Sequence, residues 1–326
     1  MIKQLLLSLL ILLSTLKAED AFIFDKASFF FEDDIYSQTD EGYSAGSKLS
    51  FLYFVPKNYA LYDYVFSDEE PYYSYITFAF VNQIYTPTDT QSTQLQVDDR
   101  PYAGWTYGEV AIYRSYKDSL KSLALQVGMI GPASHAEDLQ NGIHSLIGSK
   151  KVNGWDNQLH NELGINLKYT HKFLYEFDKI AGVEGMFLPF YSGELGNISI
   201  KATAGASYRF GWNIQKDYGV TSIDIGGDQG IPIYGEFDDM RNKDWSFSFN
   251  LLAAGSVVLR DIFLDGNTFG SSHSVDKETL VGYGGIGFTA RYKRFMFEFI
   301  EIHNTKKFKK ENGGHGVGTM VFSWLF

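Results

Sequence analysis

"GVGTMVFSWLF", residues 316–326, is the stretch whose reading decides the fold. Phe322, Trp324 and Phe326 occupy every second position. On an extended strand, alternate residues share one face, so the three rings lie together with Ser323 turned the other way. The same alternation recurs upstream: "FDKASFFFED", "GSKLSFLYFV", "YSYITFAFVNQIY", "GWTYGEVAIYRSY" and "SLKSLALQVGMIG" come first. "QLHNELGINLKYTHKFLYEF", "IAGVEGMFLPFYSG" and "ISIKATAGASYRFGW" follow. The set ends with "DWSFSFNLLAAGSVVLRD", "TLVGYGGIGFTARYKR", "RFMFEFIEIHN" and the terminal run.

These twelve runs predict an all-β chain closed into an antiparallel outer-membrane β-barrel of 12 strands. Closure is required because an unpaired strand edge cannot be satisfied in lipid. A soluble sandwich or propeller is also built from many short strands. Three features favour the barrel. Tyr and Phe gather at strand ends as in interfacial girdles, Lys201, Thr203 and Arg209 alternate with small or apolar residues as in a wet lumen, and an aromatic closes the last strand.

Residues 1–18 read as a signal peptide, with Lys3, an apolar run from Leu5 to Leu13, and a small residue, Ala18, before the cut. No later apolar run reaches the roughly 20 residues of a membrane-crossing helix. Residues 19–326, 308 in number (326 − 18), then form one domain without repeats or a Ser- or Pro-rich linker. There is no cysteine, which excludes disulfides and thiolate metal sites. The net charge of −11 argues against a nucleic-acid partner and favours a divalent cation. A monomer in the outer-membrane bilayer is the expected state.

One segment breaks the pattern. In "EDLQNGIHSLIG", residues 137–148, Leu139, Ile143, Leu146 and Ile147 recur at helical spacing. Gln140 and His144 are four apart and project from one side of that helix. If the N-terminus starts in the periplasm, strand parity puts the connections near 33–43, 86–101 and 131–157 at the outer surface, the helix in the third. Residues 56–72 and 214–243 are then long connections on the periplasmic side, where short turns are expected.

The three outer connections are densely polar. Asp33 and Asp34, before a turn with Gly and Ser, could offer oxygen ligands to calcium, or form a solvated acidic loop. Arg100 could tie Asp98 or Asp99 to the rim, or bind a lipid phosphate. His144 could be a base, since histidine titrates near neutral pH, or a structural residue between helix and barrel. His135 and His160 have no helical partner to orient them.

"EDDIYSQTDEGYSAG", "QIYTPTD", "DDRPYAGW", "GMIGPASHAEDLQNGIH" and "GWDNQLHNE", in that order over roughly residues 30–165, resemble the blocks of the outer-membrane lipid A 3′-O-deacylase family. The resemblance implies a calcium-dependent twelve-stranded barrel. Its activity would remove the 3′ acyloxyacyl group from lipid A, the anchor of lipopolysaccharide, in the outer leaflet. It would make His144 the catalytic base that activates water, Gln140 its neighbour, Ser44 a site hydroxyl in the "YSAG" turn, and Asp34 the calcium-linked carboxylate. Asp33 departs from the family's usual Asn, and Thr86 to Val97 contains no Lys or Arg where a characterised member has a lysine.

Two other classes stand beside this one. A barrel phospholipase would need a serine nucleophile, Ser44 or Ser145, within reach of His144. Ser145 follows His144 directly and so points about 100° away on a helix. A passive porin or adhesin would need neither Gln140 nor His144.

Overall fold

The computed structural model describes residues 22–34, 42–56, 60–66, 72–219, 222–223, 230–234 and 244–326. The leader expected over 1–18 and residues 35–41, with the acidic Asp40 and Glu41, lie outside the described residues. The strands are β1 (Ile23–Asp33), β2 (Gly42–Val55), β3 (Tyr73–Thr86), β4 (Ala103–Ser115), β5 (Ser119–Ile130), β6 (Glu162–Phe173) and β7 (Tyr175–Ile180). They continue as β8 (Val183–Gly196), β9 (Ser199–Trp212), β10 (Trp245–Asp261), β11 (Leu280–Tyr292), β12 (Phe295–Asn304) and β13 (His315–Leu325). Among the described residues three α-helices accompany them: α1 (Ala60–Val65), α2 (Ala136–Ile147) and α3 (Ile262–Asp265).

Consecutive strands pair antiparallel except β6 and β7, which both pair with β8, and β1 pairs with β13, so the sheet closes. β6 and β7 are two halves of one staggered wall. Lys172 faces Phe190 and Tyr175 faces Phe187, three residues on in both chains, so the register runs unbroken across Leu174. The thirteen segments therefore make a closed 12-strand antiparallel barrel, as the alternation predicts.

Alternation sorts the side chains. Phe29, Leu49, Phe80, Val110, Leu125, Val127 and Ile165 are exposed on the outside. Trp245, Tyr292, Phe295 and Trp324 occupy one row across four strands at the end that carries the C-terminus, all exposed. That row is an aromatic girdle of the kind that marks a bilayer interface. Phe322 and Phe326 share the exposed face of Trp324, and the Phe326 ring packs 4.4 Å from that of Phe24.

The lumen is polar through its middle. Lys48 donates to Glu109 at 2.7 Å, Gln126 donates to Glu109 at 2.8 Å, and Asn166 donates to Gln126 at 3.2 Å. Lys168 and Lys201 both lie against Glu194, at 3.7 and 3.5 Å. Thr203 and Arg209 are buried there too, with Arg209 paired to Asp217.

The two long connections at the C-terminal end are real, and the count of twelve stands. They are long because they fold back. From the second, Ile214, Tyr218, Ile231 and Ile233 enter the lumen and pack on Leu52, Tyr75, Leu120, Met186 and Leu188. Further up, the Ile223 N–H donates to Glu32 at 2.7 Å. The first connection forms α1, whose Tyr62 packs with Val55, Phe66 and Ile112. At the opposite end α3 turns inward, and Phe263 stacks on Tyr85 with ring centroids 3.8 Å apart. Between these fillings the lumen keeps cavities of about 80 and 50 Å³.

A lumen filled at both ends should not conduct. Protein reconstituted in planar bilayers is expected to show no stepwise openings. Steady ohmic conductance like that of a general porin would contradict the packing described.

Candidate active site

The polar segments gather at the end opposite the termini. Ile84, on β3, pairs with Ala45 on one side and with Gly104 on the other, and Ala45 pairs with Asp33. One row thus crosses β1 to β4. Its residues face outward, because Phe80 and Val110 on the same faces of β3 and β4 are exposed to the lipid side.

Helix α2 lies on this outer wall. A Cβ built on Gly104 would stand 2.2 Å from both the Ala136 Cβ and the Ser134 Oγ, so only glycine lets the segment sit so close. Thr106 donates its hydroxyl to the Ser134 carbonyl at 2.7 Å and accepts from the Asn82 amide at 2.6 Å. Ile84, Tyr102, Ala136, Val152 and Trp155 form a small apolar cluster beneath the helix. At the far end Gly148 adopts the left-handed conformation, φ 76°, and caps the last turn.

Gln140 is buried at 5% exposure, on the wall side of the helix. Trp155 Nε1 lies 3.0 Å from its side-chain oxygen. An indole N–H can only donate, so the Gln140 oxygen is fixed toward Trp155 and its amide is left as a donor. His144, one turn on, is half-buried. Its Nδ1 lies 2.7 Å from the Lys150 carbonyl, which can only accept. In the neutral ring Nδ1 therefore carries the proton and Nε2 is left as a base.

Neither Trp155 nor Lys150 was legible as a site residue. Trp155 stands in the quoted "GWDN" block, but its role depends on the chain doubling back, and Lys150 acts through a backbone atom that any residue has. Asn141 makes that return: its Oδ1 accepts from the Val152 N–H at 2.9 Å. The same return ties the second long connection to the third. Gln91 donates to the Lys151 carbonyl at 3.1 Å, and Asn153 N–H donates to the Thr90 carbonyl at 3.0 Å.

The remaining candidates are placed as follows. Asp33 ends β1 and is half-buried. The chain bends at Asp34, whose carboxyl is buried at 2% exposure. Ser44 lies inside β2 and not in a turn: the register with β3 shifts between Tyr43 and Ala45, making Ser44 the extra residue of a β-bulge. β2 reaches Gly42 because the wall must match the length of β3, fourteen residues in each. His135 lies 3.1 Å from Asp138 on the exposed start of α2, and the His160 N–H is bound by Asn267 at 2.9 Å.

Arg100 does not tie Asp98 or Asp99 to the rim through its guanidinium. That group sits over the Tyr85 and Phe308 rings, 5.8 and 5.7 Å from their centroids, and lines the larger luminal cavity. Asp98 pairs instead with Lys310, while Asp99 accepts from the backbone N–H groups of Thr88 and Arg100. Aromatic faces on either side hold a guanidinium more firmly than an exposed carboxylate would.

A calcium ion takes six to eight oxygens. Among the described residues, no group of three or more His, Asp or Glu side chains is placed to hold a metal. Asp34 suits such an ion in chemistry and burial. The other acidic residues of its connection, Asp40 and Glu41, are outside the described residues.

Comparison with known proteins agrees with this architecture. No curated protein matches the chain. Among solved structures, LpxR from Salmonella typhimurium superposes with a TM-score of 0.76 at 18% identity, covering 92% of this chain and 100% of that one. The beta domain of the Bordetella autotransporter Brka covers 94% and 100% at 8% identity, with a TM-score of 0.46. At 18% identity the Salmonella likeness speaks for the fold alone. The family model described as "Outer membrane protein LpxR" matches residues 5–326, and the chain belongs to that family of outer-membrane barrels.

Proposed function

We propose that the protein is a calcium-dependent lipid A 3′-O-deacylase, with its active site between α2 and the outer wall of the barrel, facing the outer leaflet. The observation that carries this reading is the position of Gln140 on the wall side of a helix outside the barrel, with His144 one turn on and its ring oriented by the Lys150 carbonyl. A site there is reached sideways from the bilayer, which suits a substrate that never leaves it. Family membership and the succession of sequence blocks support lipid A as that substrate.

His144 Nε2 takes a proton from water, and the resulting hydroxide attacks the carbonyl carbon of the 3′ ester. The oxygen that becomes negative is met by the Gln140 amide, held in place by Trp155. The bond between the carbonyl carbon and the sugar oxygen then breaks, and the imidazolium returns its proton to that oxygen. The products are an acyloxyacyl carboxylic acid and a free 3′ hydroxyl. Calcium held by Asp34, with Asp33 or backbone oxygens of its connection, would supply positive charge to the carbonyl oxygen. The second connection has no cation between Thr86 and Val97, but Lys151 is brought against it through Gln91.

A porin reading is disfavoured by the filled lumen. The serine reading loses Ser145, which is exposed on the side of α2 turned from the wall.

Three expectations test this. His144→Ala should keep the heat-modifiable gel mobility of a folded barrel while the rate of 3′ deacylation falls about 10²–10⁴-fold, the usual worth of a positioned base. A fully active His144→Ala enzyme would end the histidine mechanism, and an acyl adduct on Ser44 or Ser145 would replace water with a serine. Chelation should abolish deacylation and calcium should restore it, while magnesium should do so poorly because it demands a tighter octahedral shell; Asp34→Ala should need much more calcium or be inactive. Undiminished activity in excess chelator would remove the metal. Gly104→Val should push α2 off the wall and cost most of the activity with the barrel intact. Unchanged kinetics would show that the close seat is dispensable.

A further inference from the structure

Helix α2 has three unlike sides. Ala136 and Gln140 face the wall and are buried. At 100° per residue, Leu139, Ile143 and Leu146 lie together about 90° round from Gln140. Asn141 lies as far round in the other direction, and Glu137, Asp138 and Ser145 fall on that same polar flank. An apolar stripe of this kind ordinarily packs on the protein. Here it does not: Leu139 is 39% exposed, Ile143 38%, Leu146 89%, and Ile147 at the helix end 62%.

The two flanks differ in what lies beside them. The polar flank meets the returning chain at Asn141, which holds Val152, and that chain is tied to the rim connection at Thr90 and Gln91. The apolar flank is therefore turned the other way, toward the barrel's midsection. The wall at this height is already lipid-facing. Thr106, which binds Ser134, shares a row with Met129 and with Leu163, which is exposed. Two residues further along, toward the midsection, Phe80, Gly108, Val127 and Ile165 form the next outward row, apolar and exposed.

We infer that the Leu139–Ile143–Leu146 flank of α2, with Ile147, is immersed among the acyl chains of the leaflet at the loop end. The helix would continue the barrel's lipid-facing surface and hold its wall-side residues at the depth of lipid ester groups. The inference needs only the barrel's place in a bilayer and does not depend on the deacylase reading.

The chain has no cysteine, so single-cysteine variants can be labelled without background. Leu146→Cys, Val127→Cys and Lys117→Cys would each carry an environment-sensitive fluorophore in phosphatidylcholine vesicles with or without brominated acyl chains. Leu146 and Lys117 are highly exposed, so neither change threatens folding, and heat-modifiable mobility checks each variant. Quenching at position 146 should match that at 127, on the lipid-facing wall, and exceed that at 117, in a turn, several-fold. Quenching at 146 no greater than at 117 would overturn the inference. So would disulfide trapping between two copies at position 146 with no lipid quenching, which would assign the flank to a second chain.

Discussion

The pairing of β1 with β13 is the constraint on which the remainder of the structure rests. Eight successive residue pairs, from Lys26–Leu325 to Asp33–Gly318, join the first strand to the last. Without them two edges would carry unpaired backbone groups into lipid, at several kcal/mol for each group. Within the closed wall, the pairings of β1 with β2, β2 with β3 and β3 with β4 put Asp33, Ala45, Ile84 and Gly104 in one outward row, and that row is where α2 comes to rest.

The inside and outside of the barrel have separate work. Inside, buried carboxylates and cations satisfy one another, and the connection after β9 and helix α3 occupy the space a channel would need. Outside, a helix and its returning chain are held on a wall that would otherwise be bare. The contacts that hold them are short and specific: a glycine seat, the Thr106 and Asn141 hydrogen bonds, and the Trp155 cluster. Such a platform keeps a histidine tautomer and a glutamine donor fixed, which a free loop would not do.

Much of this was legible in the residues. Period-two alternation located twelve walls because each has one wet and one greasy face, and the closing aromatics marked the last of them. The Gln140–His144 pair was legible because helical spacing itself puts the two on one side. Other features were not. Ser44 looked like part of a turn, since "YSAG" is turn-like in composition, yet pairing with β3 extends β2 through it as a bulge. Residues 56–72 and 214–243 looked out of place, because nothing local signals that a connection will fold back into the lumen or along the wall. The apolar residues of α2 gave the helix its signature, but spacing cannot say whether a stripe meets protein or lipid. Arg100 followed two aspartates in sequence, but its guanidinium settled over the rings of Tyr85, on β3, and Phe308, in the connection between β12 and β13.

The most direct test of the account is the product formed when purified protein meets lipid A and phospholipid together in calcium-containing mixed micelles. Mass spectrometry should show lipid A lighter by one acyloxyacyl unit, with the new hydroxyl at the 3′ position and the phospholipid intact. Loss of acyl chains from the phospholipid, or from another position of lipid A, would contradict it.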